Sequence, residues 1–158
     1  MNKLIFMLIV AFASFVTHAM FDYGSYKATS FSDLLAQEKA FLAENGLELD
    51  STLFTGQPEK YLITIKYSGK FVDMNHKQQE FLENWQKSNP NVSSFVQLYK
   101  KALVVEGLAI PIEIPVQQSL ISSFVDELKI GQEIKIYVVN AGWGNNQPML
   151  LVTEFAQP

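Results

Sequence analysis

Cysteine is absent from the sequence. Thiol catalysis, iron–sulfur clusters and cysteine zinc sites are therefore excluded. Arginine is absent as well, since all twelve basic residues are lysine. Bidentate arginine is the commonest specific contact to a base edge, and nucleic-acid binders carry a basic footprint. With a formal net charge of −4 at pH 7, a nucleic-acid partner is not expected. Histidine occurs only as His18 and His76. No His-Glu-x-x-His segment exists, so no histidine-pair metal site is expected. A Gly-x-Ser-x-Gly elbow is missing too. Gly142-Trp143-Gly144 lacks the third glycine of a dinucleotide loop and precedes no helix pattern. Glu80 and Glu83 share a helix face as a carboxylate pair, but exposed glutamates of this kind usually serve solvation. Neither catalytic residues, nor a cofactor, nor a metal are expected.

Long apolar runs are also missing, with one exception at the start. Leu4–Val16 is apolar except for Ser14, and Lys3 is the only charge before Asp22. A positive start, a short apolar run and then small residues form the export-signal pattern. A membrane span needs about 20 apolar residues, more than this run supplies. The expectation is a signal peptide over residues 1–19, cut near Ala19, and a periplasmic or secreted product with no transmembrane segment. With no cysteine behind the run, a lipoprotein anchor is excluded. The remainder suits one domain, long enough to bury a core without disulfides.

Periodicity then predicts the elements. Phe31–Asn45 reads as a helix, started by Ser30 and Asp33 and stopped by Gly46. Residues 50–60, with Gly56 and Pro58, read as loop. Tyr61–Ser68 alternates as a strand, with Tyr61, Ile63, Ile65 and Tyr67 on one face. Asn75–Lys87 reads as a helix with Asn75 and Gln78 forming a capping box and Phe81, Leu82 and Trp85 in one stripe. Ser94–Glu106 reads as a strand with a bulge near Lys100-Lys101. Leu108–Gln117 alternates strictly, and its prolines place it at an edge or beside unpaired backbone. Ser119–Leu128 is a helix, Glu133–Val139 a strand, Asn140–Pro148 a loop and Met149–Phe155 the last strand. Ile63, Ile65, Ile110, Ile112, Phe124, Ile136 and Val138 are the expected core.

The order from Tyr61 to Phe155, with the second helix treated as an insert, is β-β-β-α-β-β. It resembles the OB-fold, a five-stranded Greek-key barrel with a helix between its third and fourth strands. The expected class is mainly β with helices (α+β): residues 20–60 as an N-terminal lead-in and helix, then an OB-like small barrel over 61–158 with a helical insert between its first two strands. The last third, from Pro115-Val116-Gln117 through Gly131–Val138 to Val152–Phe155, also resembles uncharacterised exported bacterial proteins, a likeness that implies no activity. In the OB-like frame, ligands meet the loops after the first and fourth strands. The candidate binding residues are Trp143, Asn145, Asn146 and Gln147 in the last loop, with Lys70 from the first. An aromatic among amides suits a protein, peptide or saccharide partner. The alternative is that Trp143 plugs one end of the barrel. The expected function is an exported, non-catalytic binding module. Its alternatives are a carboxylate-based hydrolase of cell-envelope material and a secreted protein-binding effector.

Overall fold

The computed structural model of the protein describes residues 21–108 and 110–157. The expected signal peptide and its cleavage site near Ala19 lie outside the described residues. Lys27–Thr29 forms β1 and Phe31–Glu44 forms α1. Ser30 caps α1, its hydroxyl accepting the Asp33 N–H at 3.0 Å, which satisfies a donor that no helix turn can reach. At the far end Gly46 turns left-handed, with φ 67°. Its N–H and that of Leu47 donate back to the Ala43 and Leu42 carbonyls, closing the helix as a glycine stop does.

Leu53–Lys66 forms β2. The loop expected over 50–60 is therefore mostly strand. Its pairing register shifts between Phe54 and Glu59, and Gly56 and Pro58 fall inside that irregularity, where poor strand formers are tolerated. Phe71–Asp73 forms β3 and His76–Ser88 forms α2. The expected capping box is present, with Asn75 and Gln78 each accepting from the other's backbone N–H. Gln78 also donates to the Glu113 carbonyl at 2.9 Å, which satisfies its buried amide.

Ser93–Val96 is a short helix, α3, behind a 3-10 turn at Pro90–Val92, and Tyr99–Val105 is β4. The strand expected from Ser94 thus starts only at Tyr99, with the expected bulge between Tyr99 and Lys101. Ile112–Gln117 is β5. Its pairing with β4 ends at Val105 opposite Ile112, and Gly107 turns the chain with φ 86°. Residues 106–108 and 110–111 therefore have no partner strand, and Ile110 is 75% exposed instead of buried. Pro115 faces Ala102 of β4, and β5 meets its other neighbour only at Val116, so proline does sit beside unpaired backbone. A 3-10 turn at Gln118–Leu120 leads into α4, Ile121–Glu127. The chain ends in a hairpin of β6, Glu133–Gly144, and β7, Gln147–Ala156.

The expected five-stranded OB-like barrel is overturned by the strand order. Among the described residues, seven strands form one mixed sheet in the order β1-β2-β6-β7-β5-β4-β3. The ends, β1 and β3, do not meet, so the sheet is open. β1 lies parallel to β2 and β5 parallel to β7; the other pairs are antiparallel. The broader α+β class holds, since four α-helices among the described residues pack on this sheet. Side-chain alternation splits the core between two faces. One cluster joins Leu34 of α1 and Phe124 of α4 to Ile63, Ile136, Val138 and Val152. The other joins Phe81, Leu82 and Trp85 of α2 to Ala102, Ala141 and Leu151. No helix among the described residues is long and apolar enough to cross a membrane.

Candidate functional site

Of the residues expected to form a binding rim, Asn145, Asn146 and Gln147 stay together on one groove, while Trp143 is buried and Lys70 pairs elsewhere. Asn140–Pro148 is not an open loop. β6 runs on to Gly144, and only Asn145 and Asn146 remain as the turn, both left-handed at φ 57° and 62°. A two-residue hairpin turn requires this conformation, and asparagine tolerates it. Trp143 is 1% exposed, and its indole N–H donates to the Leu49 carbonyl at 2.8 Å. The expected exposed ring is therefore a packed one. Trp85 is likewise buried and donates to the Thr55 carbonyl at 2.9 Å. Trp143 thus holds the segment that leads into β2, and Trp85 holds the start of β2 itself.

The two glycines flanking Trp143 also have packing reasons. A Cβ on Gly142 would lie 2.0 Å from the Leu53 carbonyl oxygen, and one on Gly144 would lie 2.7 Å from the Phe81 ring. Lys70 pairs with Glu106. It follows β2 beyond Lys66, which faces Glu133, whereas Trp143 faces Leu53 at the other end of the ladder. Asn145 and Asn146 do border a depression of about 320 Å³ with Lys77, Glu80 and Asn84 of α2. Gln147 lines a second groove beside Pro111 and Ile112, which Asn145 and Asn146 also border. His76 is exposed and lies 3.9 Å from Glu80, a surface pair of little energetic weight.

A second concavity has stronger chemistry. Its volume is about 610 Å³, and its walls come from α1, β2 and β6. Leu34, Glu38 and Leu42 recur every four residues, so Glu38 occupies the inward stripe of α1 between two buried leucines. In β6 the inward series Ile134, Ile136, Val138 is continued by Asn140, which is buried too. The Asn140 amide donates to Glu38 Oε1 at 2.7 Å and accepts the Gly142 N–H at 3.0 Å, so its orientation is fixed from both ends. Glu59 stands opposite Asn140 in the β2–β6 ladder, and the Tyr61 hydroxyl donates to the Glu59 carboxylate. The β2–β6 register shifts here, between Phe54 and Glu59, and the β6–β7 register shifts beside it, between Asn140 and Trp143. The cleft lies where these shifts fall.

Burial pushes the Glu38 carboxyl above its ordinary range; the Asn140 hydrogen bond opposes this in part and the Glu59 charge adds to it. Burial and the Glu59 carboxylate together push the Tyr61 phenol strongly upward. Among the described residues, no ion pair reaches Glu38 or Glu59. Perturbed titratable groups in a concave site, here Glu38 and Tyr61, are the usual physical mark of function. No family model matches the chain, and no curated protein matches it. Glu38, Glu59, Tyr61 and Asn140 were not among the residues expected from sequence. The available signal was a charged or amide residue at an inward position, Glu38 in the α1 stripe and Asn140 at the end of an alternating strand.

Proposed function

We propose that this protein is an exported, non-catalytic binding module that takes a small ligand into the cleft between α1 and the irregular part of the β2–β6 ladder. The observation that carries this is the cleft itself: about 610 Å³, walled by aromatic and aliphatic side chains and carrying convergent polar groups from three elements. That combination is what small-molecule sites present. Export rests on the apolar run Leu4–Val16 behind Lys3. Native mass spectrometry of the protein purified from its own cell envelope tests both parts. The expected result is a chain beginning near Met20 that carries a bound small molecule, which the Glu38→Gln variant loses. A chain retaining residues 1–19 in the cytoplasm overturns export. An empty protein whose melting temperature no saccharide, amine or short peptide raises overturns the binding role, since a ligand specific for the native state must stabilise it.

One observation favours a second function, hydrolysis of envelope material. Glu38 and Glu59 line one cleft, and Glu38, with its raised carboxyl, has the property of a general acid. Release of reducing ends from envelope polysaccharide, lost in both Glu38→Gln and Glu59→Gln, supports it. The absence of turnover by the wild-type protein leaves binding as the function.

A further inference from the structure

We infer that the ligand of this cleft is an organic cation: a primary ammonium carried on a short apolar chain. The inference rests on the binding role proposed above and names the class of molecule bound. Four features of the cavity carry it. The first is charge. Glu38 and Glu59 both line it, no lysine does, and neither carboxylate has a cationic partner among the described residues. An anion would meet uncompensated repulsion there.

The second feature is the wall. Phe41, which is 52% exposed, stands on α1, and Leu47, Leu53 and Phe54 continue the apolar surface. An aromatic face beside carboxylates holds an ammonium by its charge and its methylenes by burial. The third is the balance of donors and acceptors. Tyr61 spends its hydroxyl proton on Glu59, Thr55 on the Gln57 carbonyl and Asn45 its amide on the Phe41 carbonyl. Trp143 spends its indole proton on Leu49, and Asn140 directs its amide to Glu38. One oxygen of each carboxylate takes no proton in these bonds. Both carboxylates thus keep an open acceptor, the complement of an ammonium with three protons to give; the donors left over are the Gln37 amide and the second amide protons of Asn45 and Asn140.

The fourth feature argues against a bare metal ion. Among the described residues no group of three or more histidines or acids gathers as a ligand set. Half-buried Glu38 is raised mainly by desolvation, so a bound cation supplies the compensation that the fold withholds. Binding therefore weakens as the solution is made acidic enough to protonate Glu38.

The test is a two-dimensional NMR titration of the exported protein at about 0.15 M salt, where long-range surface attraction is largely screened. The probes are cadaverine, pentanediol and maltose. Cadaverine is expected to shift the amide signals of Glu38, Thr55, Glu59 and Gly142 saturably, and pentanediol to leave them in place. Glu59→Gln, a change at an exposed residue, is expected to weaken cadaverine binding by about tenfold, as loss of a charged hydrogen-bond partner does. Glu83→Gln, on the exposed face of α2, is expected to leave it unchanged, and thermal melts confirm that both variants fold. Saturable shifts with maltose but none with cadaverine overturn the cationic ligand and keep the cleft as a binding site. Cadaverine shifts confined to residues outside the cleft, or equal weakening by Glu83→Gln, also overturn it. Silence with all three probes overturns this inference and removes support for the binding role itself.

Discussion

Replacing Trp143 by alanine separates a packing tryptophan from a ligand-facing one by stability alone. In the structure the ring is 1% exposed and its N–H holds the Leu49 carbonyl at 2.8 Å. An aromatic of this size buries about 200 Å², worth about 5 kcal/mol at about 25 cal/mol per Å². Alanine keeps the Cβ in place and the surroundings relax in part, so the expected loss is about 3–5 kcal/mol. Domains of this kind are stable by only about 5–15 kcal/mol, so the variant sits near the edge of folding. Trp143→Phe keeps most of the volume and removes the donor; the carbonyl left behind adds about 1–2 kcal/mol. Urea unfolding followed by far-ultraviolet circular dichroism is the assay, because Trp85 would mix its fluorescence with that of Trp143. The expected ranking is wild type, Trp143→Phe, Trp143→Ala, with unchanged denaturant slopes. A loss below about 1 kcal/mol for Trp143→Ala, the range of surface substitutions, refutes the packing argument and restores the ring as a surface group.

Three further outcomes follow from the same geometry. Gly142→Ala places a Cβ 2.0 Å from the Leu53 carbonyl oxygen at a φ of 135°, so it should cost at least about 2 kcal/mol; unchanged urea unfolding contradicts the close approach of β2 and β6. Ile110→Ala should stay within about 0.5 kcal/mol, whereas Ile136→Ala, fully buried, should cost about 2–5 kcal/mol; equal losses would return Ile110 to the core. Glu38 has its folded pKa raised above the ordinary 4.5, so its ionised form disfavours the fold. Below the unfolded value both states are protonated and no penalty exists; the penalty grows as pH rises through the folded value and is fully present above it. Glu38→Gln should remove that part of the pH dependence and match or exceed wild-type stability at neutral pH. A variant that loses stability most at neutral pH refutes the assignment.

Much of the local structure was legible because its causes are local. Ser30, the Asn75–Gln78 box and Gly46 mark their helix ends through hydrogen bonds that span a few residues. The alternation of Tyr61, Ile63, Ile65 and Tyr67 leads to one buried face for the same reason. Ile110 shows where this stops. Its alternation equals that of Ile112, yet β4 ends opposite Ile112, and a residue without a partner strand has no sheet face to occupy. Residues 53–60 show the converse. Gly56 and Pro58 read as loop, but a long antiparallel partner, β6, absorbs them in an irregularity.

Composition and short-range pattern by themselves determined what this protein excludes and where it bends: no thiol chemistry, no arginine-based recognition, an N-terminal run with the export pattern, three of the helices and most strands. The tertiary structure decided the pairing order, and with it the open sheet in place of a barrel, because strand partners such as Leu53 and Trp143 are chosen across the whole chain. It also decided the site. Glu38, Glu59 and Asn140 lie far apart in sequence, and only the docking of α1 onto the β2–β6 ladder desolvates one carboxylate and sets the other beside it. No window of sequence contains that contact, since it exists only once three distant elements share one face.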